Sequence, residues 1–209
     1  MFRRRNPKTY LRLLADLFYP QGGWSRAVSY ILHRVRRLPD PPHRIARGVA
    51  AGVMVCFTPF FGLHFVLATL LALAMQGNLI AALLATFLGN PVTFPFIAAL
   101  ALELGNWMLG AERIIMLHEL FAAFRHAFAQ SGRNLRAIFT DDVAHWDQLW
   151  QFFSGIFWPY LVGGIIPGVI AGVIAYYLTV PAVAAYQKAR IKRLKARYKK
   201  RRALTPSKG

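Results

Sequence analysis

Two polar residue–proline pairs interrupt a long uncharged stretch of this chain. No Asp, Glu, Lys or Arg lies between Arg47 and Glu103, and the stretch is broken at Thr58-Pro59 and again at Asn90-Pro91. Thr and Asn side chains accept an unpaired backbone N–H at a helix start, and proline suits the first helical position. Each pair therefore predicts a helix that begins inside an apolar layer, which is tolerated only beside protein or a polar cavity.

A second uncharged run extends from Gln148 to Gln187, and 56% of the 209 residues are hydrophobic. Each run is longer than the roughly 20 apolar residues that cross a hydrocarbon layer about 30 Å thick. The sequence therefore predicts an all-α, polytopic membrane protein with broken or re-entrant helices, an outer amphipathic helix and basic cytoplasmic termini.

The positive charge is concentrated at the two ends of the chain. The net charge is +18, with eleven Lys or Arg in residues 1–47 and eleven in residues 188–208, whereas residues 111–147 hold four basic and five acidic side chains. Because short cytoplasmic flanks collect Lys and Arg, both termini are predicted to be cytoplasmic and residues 111–147 to face outward. Since the charge flanks apolar runs, we expect membrane lipids, anionic ones above all, as partners and no nucleic acid.

These patterns divide the chain into five regions. They are a basic cytoplasmic amphipathic region (1–47), a broken-helix membrane core (48–110), an outer amphipathic loop (111–147), a final membrane span (148–187) and a basic cytoplasmic tail (188–209). In the first region, Ser25 is predicted to cap a helix on the membrane surface with an apolar face of Val28, Ile31, Leu32 and Val35. In the third, an apolar stripe from Ile114 to Phe128 predicts the outer amphipathic helix.

The stretch from Gly48 to Met75 is too long for one straight crossing. Its 28 residues would extend about 42 Å at 1.5 Å per residue, whereas the pieces on either side of Thr58-Pro59 are too short to span separately. We therefore prefer a re-entrant hairpin with its tip at Thr58 to Gly62. The alternative is a single tilted and kinked span.

The first break supplies one half of a candidate ligand site, formed by Thr58, Pro59, Gly62 and His64. Here the N–H groups at the tip, the Thr58 hydroxyl and the His64 imidazole would receive an anionic group such as a lipid phosphate. The alternative is a structural kink in which His64 bonds a carbonyl oxygen.

The second break supplies the other half, formed by Asn90, Pro91 and Thr93. Interrupted helices in two separate segments point to a transport site between them. The alternative is a capped kink that only packs helices.

The basic tail is predicted to continue as a helix into the cytoplasm. Its candidate contacts with anionic lipid headgroups are Lys188, Arg190, Lys192, Arg193, Lys195 and Arg197. The alternative is that the tail serves only as an orientation signal.

Signatures of catalysis and metal binding are missing from the sequence. There is no phosphate loop, no Gly-x-Ser-x-Gly and no zinc-ligand spacing, since His118 and His126 are eight residues apart. We therefore expect no enzyme, no cofactor and no metal site.

Several short motifs, taken together, resemble a known bacterial family. They are Pro42-His43-Arg44-Ile45-Ala46-Arg47-Gly48-Val49-Ala50-Ala51-Gly52, then Phe57, Pro59, Gly62 and His64, then Asn78 and Asn90-Pro91-Val92-Thr93. The chain resembles the membrane family known as domain of unknown function number two thousand and sixty-two, which has no settled activity. The resemblance implies an inner-membrane location in Gram-negative bacteria. Some relatives are joined to glycosyltransferase domains, which implies lipid-linked envelope chemistry.

Two functions agree with these features. The first is a carrier or scramblase for an anionic lipid or lipid-linked intermediate, with the two breaks as its site. The second is a non-catalytic membrane scaffold or partner subunit of an envelope glycosyltransferase, and the sequence also allows a homo-oligomer. A transporter for ions or small metabolites ranks last because the expected buried charge is missing.

Overall fold

The computed structural model describes residues 23–111, 117–137 and 146–204, and these residues form helices joined by short turns. The described part contains no strand, which confirms the all-α prediction. Its helices are α1 (Gly23–Arg36), α2 (Pro42–Val55), α3 (His64–Ala74), α4 (Leu79–Ala85, followed by a 3-10 turn, Thr86–Leu88), α5 (Phe94–Leu109), α6 (Leu117–Ala137), α7 (Asp147–Phe152, followed by a π-helical turn, Phe153–Phe157) and α8 (Trp158–Leu204).

Helices α2 and α3 form an antiparallel hairpin, as preferred from the sequence, and not one continuous helix. The end of α3 returns to the start of α2, where the Arg47 guanidinium donates to the Gln76 carbonyl oxygen over 2.9 Å. Along the hairpin, alanines of α3 pack against Ala51 and Val55 of α2. Small side chains on the facing surfaces let the two short helices lie close together.

Helix α4 packs along α2, and α5 continues past the end of α2. A Cβ on Gly48 would lie 2.2 Å from the Asn78 carbonyl oxygen, and one on Gly52 would lie 2.2 Å from that of Ala82, so α4 runs parallel to α2. Ile97, at the start of α5, packs against the end of α2. The remainder of α5 extends past α2, so α4 and α5 together make one interrupted helical path.

Helix α8 runs antiparallel to both α2 and α5 with almost no side-chain layer between the backbones. A Cβ on Gly163 would lie 2.0 Å from the Ala101 carbonyl oxygen, and one on Gly164 would lie 2.0 Å from that of Phe57. Gly168 and Gly172 continue the contact along α2. These backbone contacts fix the position of α8 against the whole height of α2 and α5.

The outer surface of these helices carries large apolar side chains. Val66, Phe96, Trp107 and Ile170 are 55%, 75%, 81% and 54% exposed. Within the described residues, one helical stretch, Leu149–Lys199, is long and apolar enough to cross a membrane by length and composition. The shorter apolar helices are His64–Ala74, Leu79–Leu88 and Phe94–Leu109.

The structure corrects the expected ends of the two amphipathic helices. Helix α1 begins at Gly23, so Ser25 lies inside the helix and does not cap it. On α6, Leu120 is buried and Phe124 packs against the core, whereas Phe128 is 62% exposed and lies outside the contact face. The expected start of the α6 stripe at Ile114 lies outside the described residues.

Candidate functional site

The first break is a turn between the end of α2 and the start of α3. The N–H groups of Cys56, Phe57 and Thr58 each donate to the carbonyl oxygen three residues earlier, over 3.0–3.1 Å. The Thr58 hydroxyl donates to the Val55 carbonyl oxygen over 2.7 Å, so Thr58 closes α2. Helix α3 begins only at His64. The predicted role of Thr58 as N-cap, with proline at the first helical position, is therefore wrong.

The reversal within this turn depends on Gly62, which has φ +85° in the left-handed region that favours glycine. Pro59 is buried, whereas Gly62 is exposed. His64 is half-buried, and its Nε2 lies 3.2 Å from the Thr58 carbonyl oxygen. Since the Thr58 hydroxyl and the His64 ring both bond carbonyl oxygens of this segment, their contacts are those of the structural-kink alternative.

The second break is held together by Asn90. Its Oδ1 accepts the N–H groups of Val92 and Thr93, over 2.9 and 3.2 Å. The Asn90 N–H donates to the Thr93 hydroxyl oxygen over 3.1 Å, and that hydroxyl in turn donates to the Leu88 carbonyl oxygen. Helix α5 begins at Phe94, so Pro91 lies in the turn and not at the first helical position. Asn90 thus accepts backbone N–H groups as predicted, but within a turn that precedes the helix.

The two breaks lie side by side, with Gly62, Gly89 and Pro91 exposed and the rings of Phe61 and Phe94 half-buried between them. The ring centroids of Phe61 and Phe94 are 5.0 Å apart, and a Cβ on Gly89 would lie 3.2 Å from the Cys56 sulfur. The Phe61 ring also contacts Phe124 at 4.6 Å and Tyr160 at 6.2 Å. Aromatic rings therefore occupy the contact between the two breaks, where the sequence hypothesis placed a polar ligand.

Part of the second break also lines a groove on the other side of the bundle. The groove has a volume of about 470 Å³ and is bounded by α1, α2, α4, α8 and the second break. We call it the α1–α4–α8 groove. Its lining includes Leu32 and Arg36 of α1, Leu84 of α4, Ala182 of α8, and Asn90 and Thr93. Thr58, Pro59, Gly62 and His64 are not part of its lining.

The groove was missed from the sequence because its walls are distant in the chain. The sequence did contain one signal, the apolar face of α1, half of which stays uncovered. Val35 is buried against Ile45 and Val183. Val28 and Leu32 from the same face are 50% and 48% exposed and line the groove.

A partly buried polar cluster joins three segments at the basic end of the bundle. The Asp40 carboxylate accepts from the Arg44 guanidinium over 3.2 Å and from the Asn78 amide over 2.5 Å. Asn78 in turn accepts the Ala81 N–H over 2.7 Å and so caps α4. The Gln187 amide donates to the Asp40 carbonyl oxygen over 2.9 Å. Sequence reasoning found Asn78 only as a motif residue and missed Asp40 and Gln187.

The basic tail continues α8 without interruption to Leu204. The six side chains that we predicted to contact lipid headgroups are all exposed: Lys188, Arg190, Lys192, Arg193, Lys195 and Arg197. In the part of the chain that the structure describes, no group of three or more His, Cys, Asp or Glu residues could hold a metal ion.

The fold and the candidate site define an all-helical protein with a helical hairpin, an interrupted helix and one long helix, in which two proline-containing turns meet through aromatic side chains. The chain belongs to the bacterial family DUF2062, described as "Uncharacterized protein conserved in bacteria", whose model matches residues 25–192. This match confirms the resemblance inferred from the sequence motifs. Comparison with curated proteins and with solved structures finds no match.

Proposed function

We propose that this protein is an integral protein of the bacterial inner membrane that carries or scrambles an anionic lipid or a lipid-linked intermediate. The observation that carries the proposal is the meeting of a helical hairpin turn and an interrupted helix within one all-helical body, through the rings of Phe61 and Phe94. In membranes, irregular backbone is tolerated only where protein or a cavity covers it, and interrupted helices are typical of transport sites.

The distribution of side-chain size supports a membrane environment. Soluble monomers rarely expose apolar patches larger than a few hundred Å², yet helices α3, α5 and α8 all direct large apolar residues outward. The buried positions between these helices are mostly alanine or glycine, as in membrane helix packing. Lipid chains are the natural covering for such a surface.

Stacking of the shorter helices supports a polytopic arrangement. Leu79–Leu88 and Phe94–Leu109 together extend about 39 Å at 1.5 Å per residue, which matches the thickness of a bilayer. The hairpin of α2 and α3 would then enter and leave at the basic end, while α4–α5 and α8 would each cross. With an even number of crossings both termini would lie on the same side, and their positive charge favours the cytoplasmic side.

The residues of the two breaks have different tasks in this proposal. Asn90 and Thr93 line the groove and would contact a moving lipid there. Thr58, Pro59, Gly62 and His64 would shape the neighbouring turn, and Pro91 would keep the second turn from becoming a helix. The exposed lysines and arginines of the tail would contact anionic headgroups at the cytoplasmic surface.

The test is lipid movement in reconstituted vesicles. Fluorescent phosphatidylglycerol is placed in both leaflets of phosphatidylcholine vesicles, and a reductant that does not cross the membrane removes the outer signal. We expect the protein to accelerate loss of the inner signal and the double variant Thr58→Ala, Asn90→Ala to slow it several-fold. Thr69→Ala is the matched control, because the Thr69 hydroxyl bonds only its own helix at Phe65. Equal rates for the double variant and the native protein would refute the proposal.

A second candidate function is a scaffold or partner subunit of an envelope glycosyltransferase. It is favoured by the exposed extension of α8, where Ile191, Leu194 and Tyr198 are 53%, 53% and 68% exposed. These three residues lie on one side of a helix that is otherwise basic, a pattern suited to a partner groove with acidic edges. Co-purification of a glycosyltransferase that is lost on removal of residues 188–209 would support this function. Purification of the native protein without any partner would count against it.

A further inference from the structure

We propose that the α1–α4–α8 groove binds one acyl chain of an anionic glycerophospholipid, with the lipid phosphate held at Arg36. The inference rests on the proposed function for its membrane setting and names the ligand class and the binding residues. The groove and Arg36 were not part of the site expected from the sequence.

The walls of the groove suit a hydrocarbon chain. Its volume of about 470 Å³ lies in the range of roughly 300–1,000 Å³ that is usual for small-molecule sites. Aliphatic side chains such as Ile31, Leu84 and Val183 make up most of the lining. A polar ligand would leave its hydrogen-bonding groups unpaired against such walls, whereas an acyl chain has none.

Arg36 supplies the one charged group of the lining. It lies in the last turn of α1 at the basic end of the bundle and is half-buried. Its guanidinium has no hydrogen bond or ion pair to any residue in the described ranges, and no acidic side chain lines the groove. A half-buried guanidinium that no carboxylate of the described residues neutralises is well suited to an anion, and its planar donors match a phosphate.

Further positive charge lies close to Arg36 along α1 and α8. Arg37 and Arg190 line a neighbouring cavity of about 430 Å³ together with Tyr186. Because three guanidinium groups lie near this end, a lipid with a net negative headgroup should be preferred over a zwitterionic one. The apolar walls of the groove cannot provide this preference for an anionic headgroup, because the interior of a bilayer is as apolar as those walls.

The occupant can be identified by photo-crosslinking in the full-length protein. A photoreactive amino acid replaces Leu84, which lines the groove, and the protein is placed in phosphatidylcholine vesicles with a small fraction of phosphatidylglycerol carrying the same acyl chains. Mass spectrometry then identifies the adduct after illumination. We expect a lipid adduct enriched in phosphatidylglycerol over its share of the vesicle.

Two matched pairs of variants test the two parts of the site. Arg36→Gln should lower the phosphatidylglycerol adduct about tenfold, because hydrogen bonds to a charged group are lost. Arg34→Gln should not lower it, since Arg34 is exposed on the same helix outside the groove. Ala182→Trp should fill the groove and abolish the adduct, whereas Ala185→Trp, on an exposed position of α8 outside the lining, should not.

Three results would overturn the inference. One is equal labelling of the two lipids with no response to Arg36→Gln. Another is an adduct with residues 1–22 of the same chain, which would assign the groove to that segment. The third is an adduct with a second copy of the protein, which would make the groove an interface.

Failure of the inference is distinguishable from failure of the proposed function. A phosphatidylglycerol adduct that responds to Arg36→Gln, together with lipid movement no faster than in protein-free vesicles, would remove only the proposed function. Accelerated lipid movement with no lipid adduct at Leu84 would refute only the inference that the α1–α4–α8 groove binds a lipid.

Discussion

The contact between α5 and α8 makes a quantitative prediction for Gly163→Ala. The new Cβ would lie 2.0 Å from the Ala101 carbonyl oxygen, 2.3 Å from the Gly105 nitrogen and 2.7 Å from the Gly105 Cα. All three are backbone atoms of a helix, so no side-chain rotation can relieve the overlap. The two helices must move apart.

The size of the effect follows from how far they must move. Non-bonded heavy atoms are most stable at about 3.5–4.0 Å, so the helices must separate locally by more than 1 Å, which forfeits a quarter to a half of each affected contact. Overpacking a close-packed interface costs about 1–3 kcal/mol, and a contact made of backbone alone should lie at the upper end. We therefore expect Gly163→Ala to destabilise the protein by about 3 kcal/mol.

The matched control is the same substitution at Gly132, in α6, where a Cβ would meet nothing within 4 Å. Gly132→Ala should stabilise its helix by up to about 1 kcal/mol, because alanine is the better helix former. Both variants are measured as the free energy of unfolding in mixed detergent micelles. Equal free energies of unfolding for the two variants, or a Gly163→Ala variant as stable as the native protein, would refute the close-contact argument.

Three further substitutions test other features of the fold by the same unfolding measurement. Asn78→Ala should cost about 1–2 kcal/mol, because it removes the cap of α4 and the amide that Asp40 bonds; a loss below a few tenths would contradict that role. Gly62→Ala should cost about 1–2 kcal/mol despite open space around the position, because its φ of +85° disfavours any L side chain; an unchanged free energy of unfolding would show that the turn relaxes. Tyr160→Phe should raise stability by about 1 kcal/mol, because the fully buried hydroxyl has no hydrogen-bond partner among the described residues; destabilisation would reveal a polar contact at that hydroxyl.

The two breaks show what local sequence chemistry can and cannot predict. The Asn90 side chain was expected to accept backbone N–H groups just after it, and it does so within three residues. The Thr58 hydroxyl can donate backwards as readily as it can accept forwards, and it donates to Val55. Whether the Thr58 hydroxyl donates backwards or accepts forwards depends on where α3 starts. That start follows the chain reversal at Gly62, which has a left-handed backbone conformation. Both turns could be located from the sequence, but their geometry could not.

Features that join distant parts of the chain escaped prediction. The length of the first apolar run was enough to favour a hairpin, because the argument needs only the rise per residue. The groove forms only when α1 packs against α4 and α8, and the polar cluster forms only when Asp40 lies beside Asn78 and Gln187. No periodicity in one segment carries that information.

The arrangement of small and large side chains has a consequence for how this sequence can vary. Ala68 and Ala98 are fully buried, whereas Leu70 and Phe96, on the same helices, are 57% and 75% exposed. Polarity does not separate the inner from the outer positions, since both are apolar. Volume separates them at the close helix contacts, where glycine and alanine lie between the helices, whereas larger residues such as Tyr160 and Leu120 fill the other buried positions. At these contacts the orientation of a helix is therefore encoded in side-chain bulk, and exchanging the bulk of neighbouring positions would turn the helix without changing its hydrophobicity.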